Sequence, residues 1–386
     1  MLRNFKVGKI HTELVTKPTL FKALKYANKK TIKTPLLLMD REKIREKASI
    51  IGKNINNSKV FYAVKANPDE KVIKLINKLN LGFEIASEGE LKILSALGVS
   101  PERIISSNPV KSLSFLKMAS SYGVNYFAFD SAEEVDKLAR FAPGCNVYVR
   151  IAVPNEDSEW PLSKKFGVEL DDAAGLLSYA GNKGLKPCGI TFHVGSQCTN
   201  IYSWNTALDK TKALWDLAEK KGLRLDTLNI GGGYPINYTK NVVKVEAIEK
   251  NVNSLIYDKF PKDTKVLIEP GRAVVGDAGI FVASVIGKAR RGSGNWLYLD
   301  VGVFNGLMES VGGIKYTYLA ESLQQTKKIK WTITGPSCDS FDIIDRDVAL
   351  PEPEVGNLVL ILSSGAYTTS YASEFNGFPL PGTILI

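Results

Sequence analysis

Residues that bind metals or form disulfides are scarce in this 386-residue chain. It has two histidines and four cysteines, and the cysteines show neither metal-site spacing nor the density of a disulfide framework: Cys145, Cys188, Cys198 and Cys338. We therefore predict no metal site and a reducing, cytoplasmic location.

Long apolar runs are absent as well. The run from Pro35 to Met39 stops at Asp40, and no run reaches the roughly 20 residues that span a bilayer. The N-terminus lacks the apolar core and the cleavage site of a secretory signal. We predict no contact with a membrane.

Nucleic-acid binding motifs are missing too, although the net charge is +10. The lysines are scattered, and no helix-turn-helix, zinc-finger or RNA-recognition signature accompanies them. The positive charge indicates a solvated basic surface, and we predict no nucleic-acid partner.

Eight short apolar runs alternate with segments of helical period, which is the count and size of a closed (β/α)₈ TIM-like barrel. A doubly wound open sheet is the alternative, but no G-x-G-x-x-G opens a first helix. The predicted strands are Val60–Val64, Gly82–Ala86, Arg103–Ser107, Tyr126–Phe129, Asn146–Ile151, Pro187–Phe192, Thr227–Ile230 and Lys265–Ile268.

The pattern changes after Gly271 to β-rich runs interrupted by glycine pairs. We predict strands at Val274–Ile286, Trp296–Val301, Lys328–Thr334 and Asn357–Leu362. The expected architecture is a barrel at 38–272 and a second, all-β domain formed by 1–37 and 273–386.

Polar residues follow each barrel strand, at the edge where such barrels place their chemistry. Lys65 follows Val60–Val64 directly, and a lysine there is either a solvated strand end or an amine that forms a Schiff base. The other strand ends carry Glu84, Asn108, Asp130, Arg150, His193 with Ser196, Gly231–Gly233, and Glu269 followed by Gly271 and Arg272.

These strand-end residues together fit pyridoxal phosphate. Three glycines can expose backbone N–H groups to a phosphate, and Arg272 adds a positive charge. Glu269 either keeps a pyridine nitrogen protonated or forms an internal salt bridge. His193 either stacks on the ring or is a hydrogen-bonded core histidine. In this company Lys65 is better explained as the amine that forms a Schiff base than as a solvated strand end.

Six motifs, in unbroken order, resemble the eukaryotic-type ornithine decarboxylases, which belong to the alanine-racemase-like class of pyridoxal enzymes. The resemblance implies the barrel-plus-β architecture and a head-to-tail homodimer with two active sites at the interface. The motifs are Phe61-Tyr-Ala-Val-Lys-Ala-Asn, Phe192-His-Val-Gly-Ser, Gly231-Gly-Gly-Tyr-Pro, Glu269-Pro-Gly-Arg, Cys338-Asp, and Gly365-Ala-Tyr-Thr with Phe375-Asn-Gly-Phe.

The resemblance also implies residue roles. Lys65 would form the Schiff base, Glu269 would face the ring nitrogen and His193 would stack on the ring. Cys338 and Asp339 would enter the other subunit's site, the thiol to protonate the carbon that loses CO₂ and the carboxylate to bind the distal amine. The remaining cofactor and substrate residues would be Glu84, Arg150, Ser196, Gly232, Gly233, Gly271, Arg272, Tyr367 and Phe375.

One position departs from that family. Animal and trypanosomal ornithine decarboxylases carry a Tyr-Asp pair after the segment matching Asp300, and its aspartate helps to bind the distal amine. The matching positions here are Glu309 and Ser310. Either Glu309 supplies the charge or Asp339 acts alone, which leaves the length of the diamine open.

We expect decarboxylation of a basic L-amino acid: ornithine to putrescine, with lysine to cadaverine also possible. Diaminopimelate decarboxylase is the nearest rival, but no late arginine is present here for a distal carboxylate. A non-catalytic protein like the antizyme inhibitors is a second alternative, and an amino-acid racemase, which uses a tyrosine as its second base, is a third.

Overall fold

The computed structural model describes residues 4–29, 31–161, 165–292, 294–322 and 327–386. The chain forms two compact units. The barrel unit comprises Ala48–Pro235 and Val243–Gly271, and the β-rich unit comprises the residues up to Lys47, Ile236–Val242 and Arg272–Ile386. The sequence-based boundaries at residues 38 and 272 remain predictions about domains.

The barrel unit contains a sheet of eight parallel strands. A bridge between Ser106 and Phe127 joins the third strand to the fourth and closes the ring. The eight predicted strands are confirmed, each within two residues at either end. They are Ser58–Ala63, Gly82–Glu84, Ile104–Ile105, Tyr126–Phe129, Asn146–Arg150, Lys186–Thr191, Thr227–Asn229 and Lys265–Ile268.

In the described part of the barrel unit seven α-helices alternate with these strands, and the starts of two of them show the local capping. The Ser112 and Ser131 hydroxyls each accept a backbone N–H of the first helical turn. The helices are Glu70–Lys78, Glu88–Ala96, Leu113–Tyr122, Ala132–Phe141, Leu170–Asn182, Tyr202–Lys220 and Val245–Lys259. The unit also contains 3₁₀ turns at Val64–Ala66 and Pro101–Arg103 and a two-stranded ribbon of Ser158–Trp160 and Ser196–Cys198.

The barrel interior is packed with side chains from several strands. Phe61, Ile105, Ala128, Tyr148 and Leu267 form one buried cluster. Tyr148 is fully buried, and its hydroxyl is the polar end of an otherwise apolar core. The barrel therefore has a solid interior, and its polar groups lie above that interior, at the carboxyl ends of the strands.

The β-rich unit contains a mixed sheet of eight strands built around the long strand Gly279–Arg291. That strand pairs with Leu36–Met39 and Leu358–Ile361 along its first half and with Gly294–Leu299 along its second half. The other strands are Tyr318–Ala320, Ile329–Thr334, Ile343–Leu350 and Gly382–Leu385.

Short helical segments complete the β-rich unit: Lys9–Leu14, Lys17–Ala27, Arg272–Val275 and the start of Arg41–Ile50, with 3₁₀ turns at Gly276–Ala278, Met308–Ser310 and Phe375–Gly377. The predicted start of a strand at Val274 is wrong, because Arg272–Val275 is helical. None of the helices in the described ranges is long and apolar enough to cross a lipid bilayer.

Candidate active site

Lys65 lies in the 3₁₀ turn Val64–Ala66, directly after the first barrel strand. Its Nζ donates to Glu84 Oε2 at 2.9 Å, and Glu84 is buried at the end of the second strand. Half of the Lys65 side chain is exposed. The ammonium thus has a carboxylate partner and solvent access, which suits an amine that must react with a small molecule.

Glu269 directly follows the eighth strand and belongs to a buried hydrogen-bond network. Its Oε1 accepts from the Ser107 hydroxyl and from Asn229 Nδ2, the latter at 2.6 Å. The Ser107 hydroxyl also lies 2.7 Å from the Tyr148 hydroxyl. Ser107, Tyr148 and Asn229 therefore fix one oxygen of this carboxylate.

The other oxygen, Glu269 Oε2, makes no hydrogen bond within the described ranges of the chain. Burial and the neighbouring Glu84 carboxylate raise the pKa of Glu269, while the Asn229 and Ser107 hydrogen bonds lower it in part. A buried carboxylate with one oxygen unused favours a ligand that presents a charged N–H donor.

His193 lies after the sixth strand. Its Nδ1 accepts the Gly195 N–H at 3.0 Å, so the neutral ring carries its proton on Nε2. Burial, Arg150 and Lys65 lower the pKa of His193 to about 3. The imidazole is therefore uncharged at neutral pH, and a neutral flat ring is suited to stacking on another ring.

The glycine triplet follows the seventh strand in close contact with its neighbours. Gly231 and Gly233 have φ angles of +63° and +95°. A Cβ at Gly232 would lie 2.4 Å from the Glu269 carbonyl oxygen. The triplet is therefore needed for this backbone path. The Gly231 N–H donates to Asn229 Oδ1, so the N–H groups of Gly232 and Gly233 are the ones left for a phosphate.

In the β-rich unit Arg272 forms a buried, bidentate ion pair. Its two terminal nitrogens donate to the two Glu309 oxygens, each at 2.7 Å, and one also contacts the Tyr238 hydroxyl. The guanidinium carbon lies 4.8 Å from the centre of the Tyr367 ring. This places two predicted phosphate residues, Arg272 and Tyr367, together.

The same ion pair does not fit the predicted role of Glu309 as a ligand of the substrate's distal amine. Glu309 is buried, and Arg272 uses both of its oxygens. Ser310 is also engaged, since its hydroxyl donates to the Leu307 carbonyl at 2.7 Å. A role for Asp339 in that contact remains a prediction.

Cys338 and Asp339 lie on an exposed loop of the β-rich unit. The Cys338 thiol and backbone N–H both donate to Asn376 Oδ1, at 3.4 and 3.3 Å. Phe375 packs on Phe304 with ring centres 4.6 Å apart and is 41% exposed. These residues form one exposed patch.

Sequence reasoning missed Ser107, Tyr148 and Asn229, the partners of Glu269. A signal was present, because Ser107 and Asn229 are polar residues in or beside strands that are otherwise apolar. Their burial, at 7% and 0% exposure, requires hydrogen-bond partners. Only the closed barrel brings the third, fifth, seventh and eighth strands to the same carboxylate.

Comparison with known proteins decides the family. The profile described as "pyridoxal-dependent decarboxylase, pyridoxal binding domain" matches residues 41–276. The chain belongs to the pyridoxal-dependent decarboxylases. A lysine/ornithine decarboxylase of Selenomonas ruminantium is 40% identical to it, and the match covers 92% of this chain and 90% of that protein.

Two further relatives show the range of this pyridoxal-dependent decarboxylase family. A lysine/ornithine decarboxylase of Vibrio vulnificus, solved with cadaverine, is 30% identical with a TM-score of 0.87, covering 95% of this chain and 98% of that one. Antizyme inhibitor 2 of Xenopus laevis is 33% identical over 83% of this chain and 74% of its own.

The barrel residues fit the cofactor of this decarboxylase family. A lysine amine with solvent access, a buried carboxylate with one unused oxygen and a neutral histidine are the groups that pyridoxal phosphate requires of its protein. The glycine triplet adds backbone donors for the phosphate.

Proposed function

We propose that this decarboxylase removes the α-carboxylate of a basic L-amino acid, with ornithine and lysine as its substrates. The observation that carries the proposal is the Lys65–Glu84 pair together with Glu269 and its unused oxygen at the carboxyl end of one barrel. The lysine/ornithine decarboxylases among the relatives support the substrate class.

Lys65 Nζ would attach to the cofactor aldehyde, and the glycine triplet with Ser196 would bind the phosphate. Arg272 and Tyr367 would add a charge and a hydroxyl to that phosphate site. When bound, pyridoxal phosphate supplies an electron-poor ring that accepts the electron pair of the broken carbon–carboxylate bond.

The protein's other barrel groups orient this chemistry. Glu269 Oε2 would accept the ring N–H and keep the ring positively charged, while His193 would cover one face without adding charge. Arg150, close enough to depress the His193 pKa, would complete the cationic surroundings together with Lys65. Glu84 would hold the Lys65 amine in place until the cofactor binds.

Proton return would come from Cys338, whose Sγ–H would deliver a proton to the substrate's α carbon after CO₂ leaves. Asp339 would accept the distal amine. We propose a homodimer in which both residues enter the partner's active site, which agrees with their exposure and with the aromatic patch of Phe341 and Phe375 beside them.

The test is incubation of the purified chain with ornithine, lysine, arginine and diaminopimelate in parallel, with chromatographic identification of the amines. Putrescine and cadaverine are the expected products. Consumption of diaminopimelate alone would contradict the proposal, because a distal carboxylate would then occupy a pocket that we assign to Asp339.

A non-catalytic binding protein is the second candidate, favoured by the similarity to antizyme inhibitor 2. The presence of Lys65, His193 and Glu269 argues against it. Addition of pyridoxal phosphate to the cofactor-free chain should produce a new long-wavelength absorbance that Lys65→Ala lacks. An unchanged spectrum would support the binding protein.

The cytoplasm is our proposed location. Four free thiols, three of them buried or half-buried, agree with a reducing compartment. We also retain 38–272 as the proposed limits of the cofactor-binding domain.

A further inference from the structure

Asn229 joins two parts of the cofactor site through one buried side chain. Its Nδ2 donates to Glu269 Oε1 at 2.6 Å, and its Oδ1 accepts the Gly231 backbone N–H at 2.9 Å. We propose that Asn229 is a positioning residue that couples the ring-nitrogen end of the cofactor to its phosphate end. This inference rests on the proposed roles of Glu269 and of the glycine triplet.

The contacts of Asn229 require a carboxamide. The Gly231 N–H can only donate, so the amide oxygen must face it, and the amide nitrogen is then left for the Glu269 carboxylate. The side chain of Asn229 is fully buried, so no solvent can replace either contact. An apolar side chain at position 229 would lose both contacts. A deprotonated aspartate would keep only the contact to the Gly231 N–H.

The two contacts have different consequences for the cofactor. Together with the Ser107 hydroxyl, the amide nitrogen of Asn229 fixes Glu269 Oε1, which leaves Oε2 for the ring nitrogen. The amide oxygen fixes the first N–H of the glycine triplet, which sets the path of the phosphate loop. Loss of this one residue should therefore disturb both ends of the cofactor together.

Replacement of Asn229 by aspartate gives a graded test. Two carboxyl groups at hydrogen-bond distance share one proton, and the protonated one can donate as the amide does. The charged and titratable groups facing Glu269 are Glu84, Lys65, Arg150 and Tyr148, which are the same in the native chain and in the variant. A new pH dependence therefore belongs to the new carboxyl pair.

The experiment measures the Kd of pyridoxal phosphate for cofactor-free full-length chains between about pH 6 and pH 9. Asn229→Leu should bind at least about tenfold more weakly than the native chain at every pH. Asn229→Asp should bind as the native chain does at the acid end and progressively more weakly as the shared proton is lost. Native affinity of Asn229→Leu, or a pH-independent loss in Asn229→Asp, would overturn the proposal.

Asn54→Leu is the matched control. The half-buried Asn54 amide also donates to a buried carboxylate, Glu249, at 3.1 Å, but it precedes the first strand at the opposite end of the barrel. Its Kd for pyridoxal phosphate should not change. Thermal unfolding of each cofactor-free chain checks folding, and if Asn229→Leu does not fold, the pH series of Asn229→Asp decides.

Failure of this inference can be told apart from failure of the proposed function. If the native chain binds pyridoxal phosphate without decarboxylating a basic amino acid, the proposed function fails while the Kd series still tests Asn229. If decarboxylation proceeds and Asn229→Leu binds the cofactor normally, only the inference fails.

Discussion

At the scale of single residues, Glu309 and Asp339 are the two carboxylates proposed from sequence for the distal amine, and their surroundings differ. Glu309 is buried against Arg272, whereas Asp339 is exposed and accepts the Phe341 N–H at 2.8 Å. We predicted both as ligands of the amine because a sequence shows that a residue is charged but does not show which residue it pairs with. Burial and the bidentate pair assign Glu309 to Arg272.

Glu309→Gln should therefore change cofactor binding, because its partner Arg272 is one of the residues proposed to bind the phosphate. Loss of one partner leaves the Arg272 charge buried, which we expect to lower the free energy of unfolding by about 3 kcal/mol. The Kd of pyridoxal phosphate should rise, while the ratio of KM values for ornithine and lysine should not change.

Asp339→Asn is the companion variant and should do the reverse. It should raise the KM of both amino acids roughly tenfold and leave the Kd of pyridoxal phosphate unchanged. Altered ornithine-to-lysine preference in Glu309→Gln, with native cofactor affinity, would return Glu309 to the substrate pocket.

Glu90 gives a prediction about pH. It accepts the Ala86 N–H at 2.6 Å beside Glu84, and burial together with the Glu84 charge raises the pKa of Glu90 to about 7. The folded chain thus binds the proton more tightly than the unfolded chain. The contribution of protonated Glu90 to the free energy of unfolding is therefore complete below about pH 4, the ordinary carboxyl pKa range. It is lost as the pH rises through about 7.

Glu90→Gln should remove this loss of stability at high pH, since the amide oxygen can still accept the Ala86 N–H and carries no charge. Relative to the native chain, the cofactor-free variant should become more stable with rising pH, by roughly 2 kcal/mol at pH 8. Denaturant unfolding at a series of pH values measures this. Glu133→Gln, at an exposed carboxylate, is the control, and parallel curves for native chain and Glu90→Gln would contradict the assignment.

At the scale of elements, the barrel strands were predictable because strands buried on both faces are continuous apolar runs. The sheet of the β-rich unit was only partly predictable. Ile343–Leu350 was missed because charged residues interrupt it, and its register comes from pairing with Ile329–Thr334. Gly382–Leu385 pairs with Leu36–Met39 from the other end of the chain, a contact that no local pattern encodes.

At Val274 and Val275 we predicted a strand where the structure has a helix. β-Branched residues favour a strand, yet here they complete the short helix Arg272–Val275 before the strand begins at Gly279. Close packing decides this, because a Cβ at Gly365 would lie 2.0 Å from the Val275 carbonyl oxygen. Tertiary contacts thus override local propensity at the entry to the sheet.

The loop that carries Cys338 is fixed by one buried carboxylate. Asp342 accepts the Val303 N–H at 2.7 Å and the Ser337 N–H at 3.0 Å, one at each oxygen. Asp342→Asn has only one acceptor oxygen for two donors, so the loop should lose its position. We expect the kcat for amine formation to fall roughly tenfold without a change in the Kd of pyridoxal phosphate.

Cys338→Ala is the reference for that loop. It should leave cofactor binding intact and lower the ratio of amine formed to CO₂ released, because the proton donor is missing. Asp342→Asn should lower the same ratio. A native ratio in Cys338→Ala would exclude the thiol as the donor.

At the scale of the whole molecule, the proposed shared sites predict complementation between two chains that each form little amine alone. In a mixed dimer of Lys65→Ala and Cys338→Ala, one site combines both substitutions and the other combines two native residues. Half of the randomly formed dimers are mixed, so the equimolar mixture should recover about a quarter of native amine formation. Each variant alone, refolded in the same way, is the control. If Lys65 and Cys338 of one chain served the same site, mixing would restore nothing, and the result would place a complete active site within each chain.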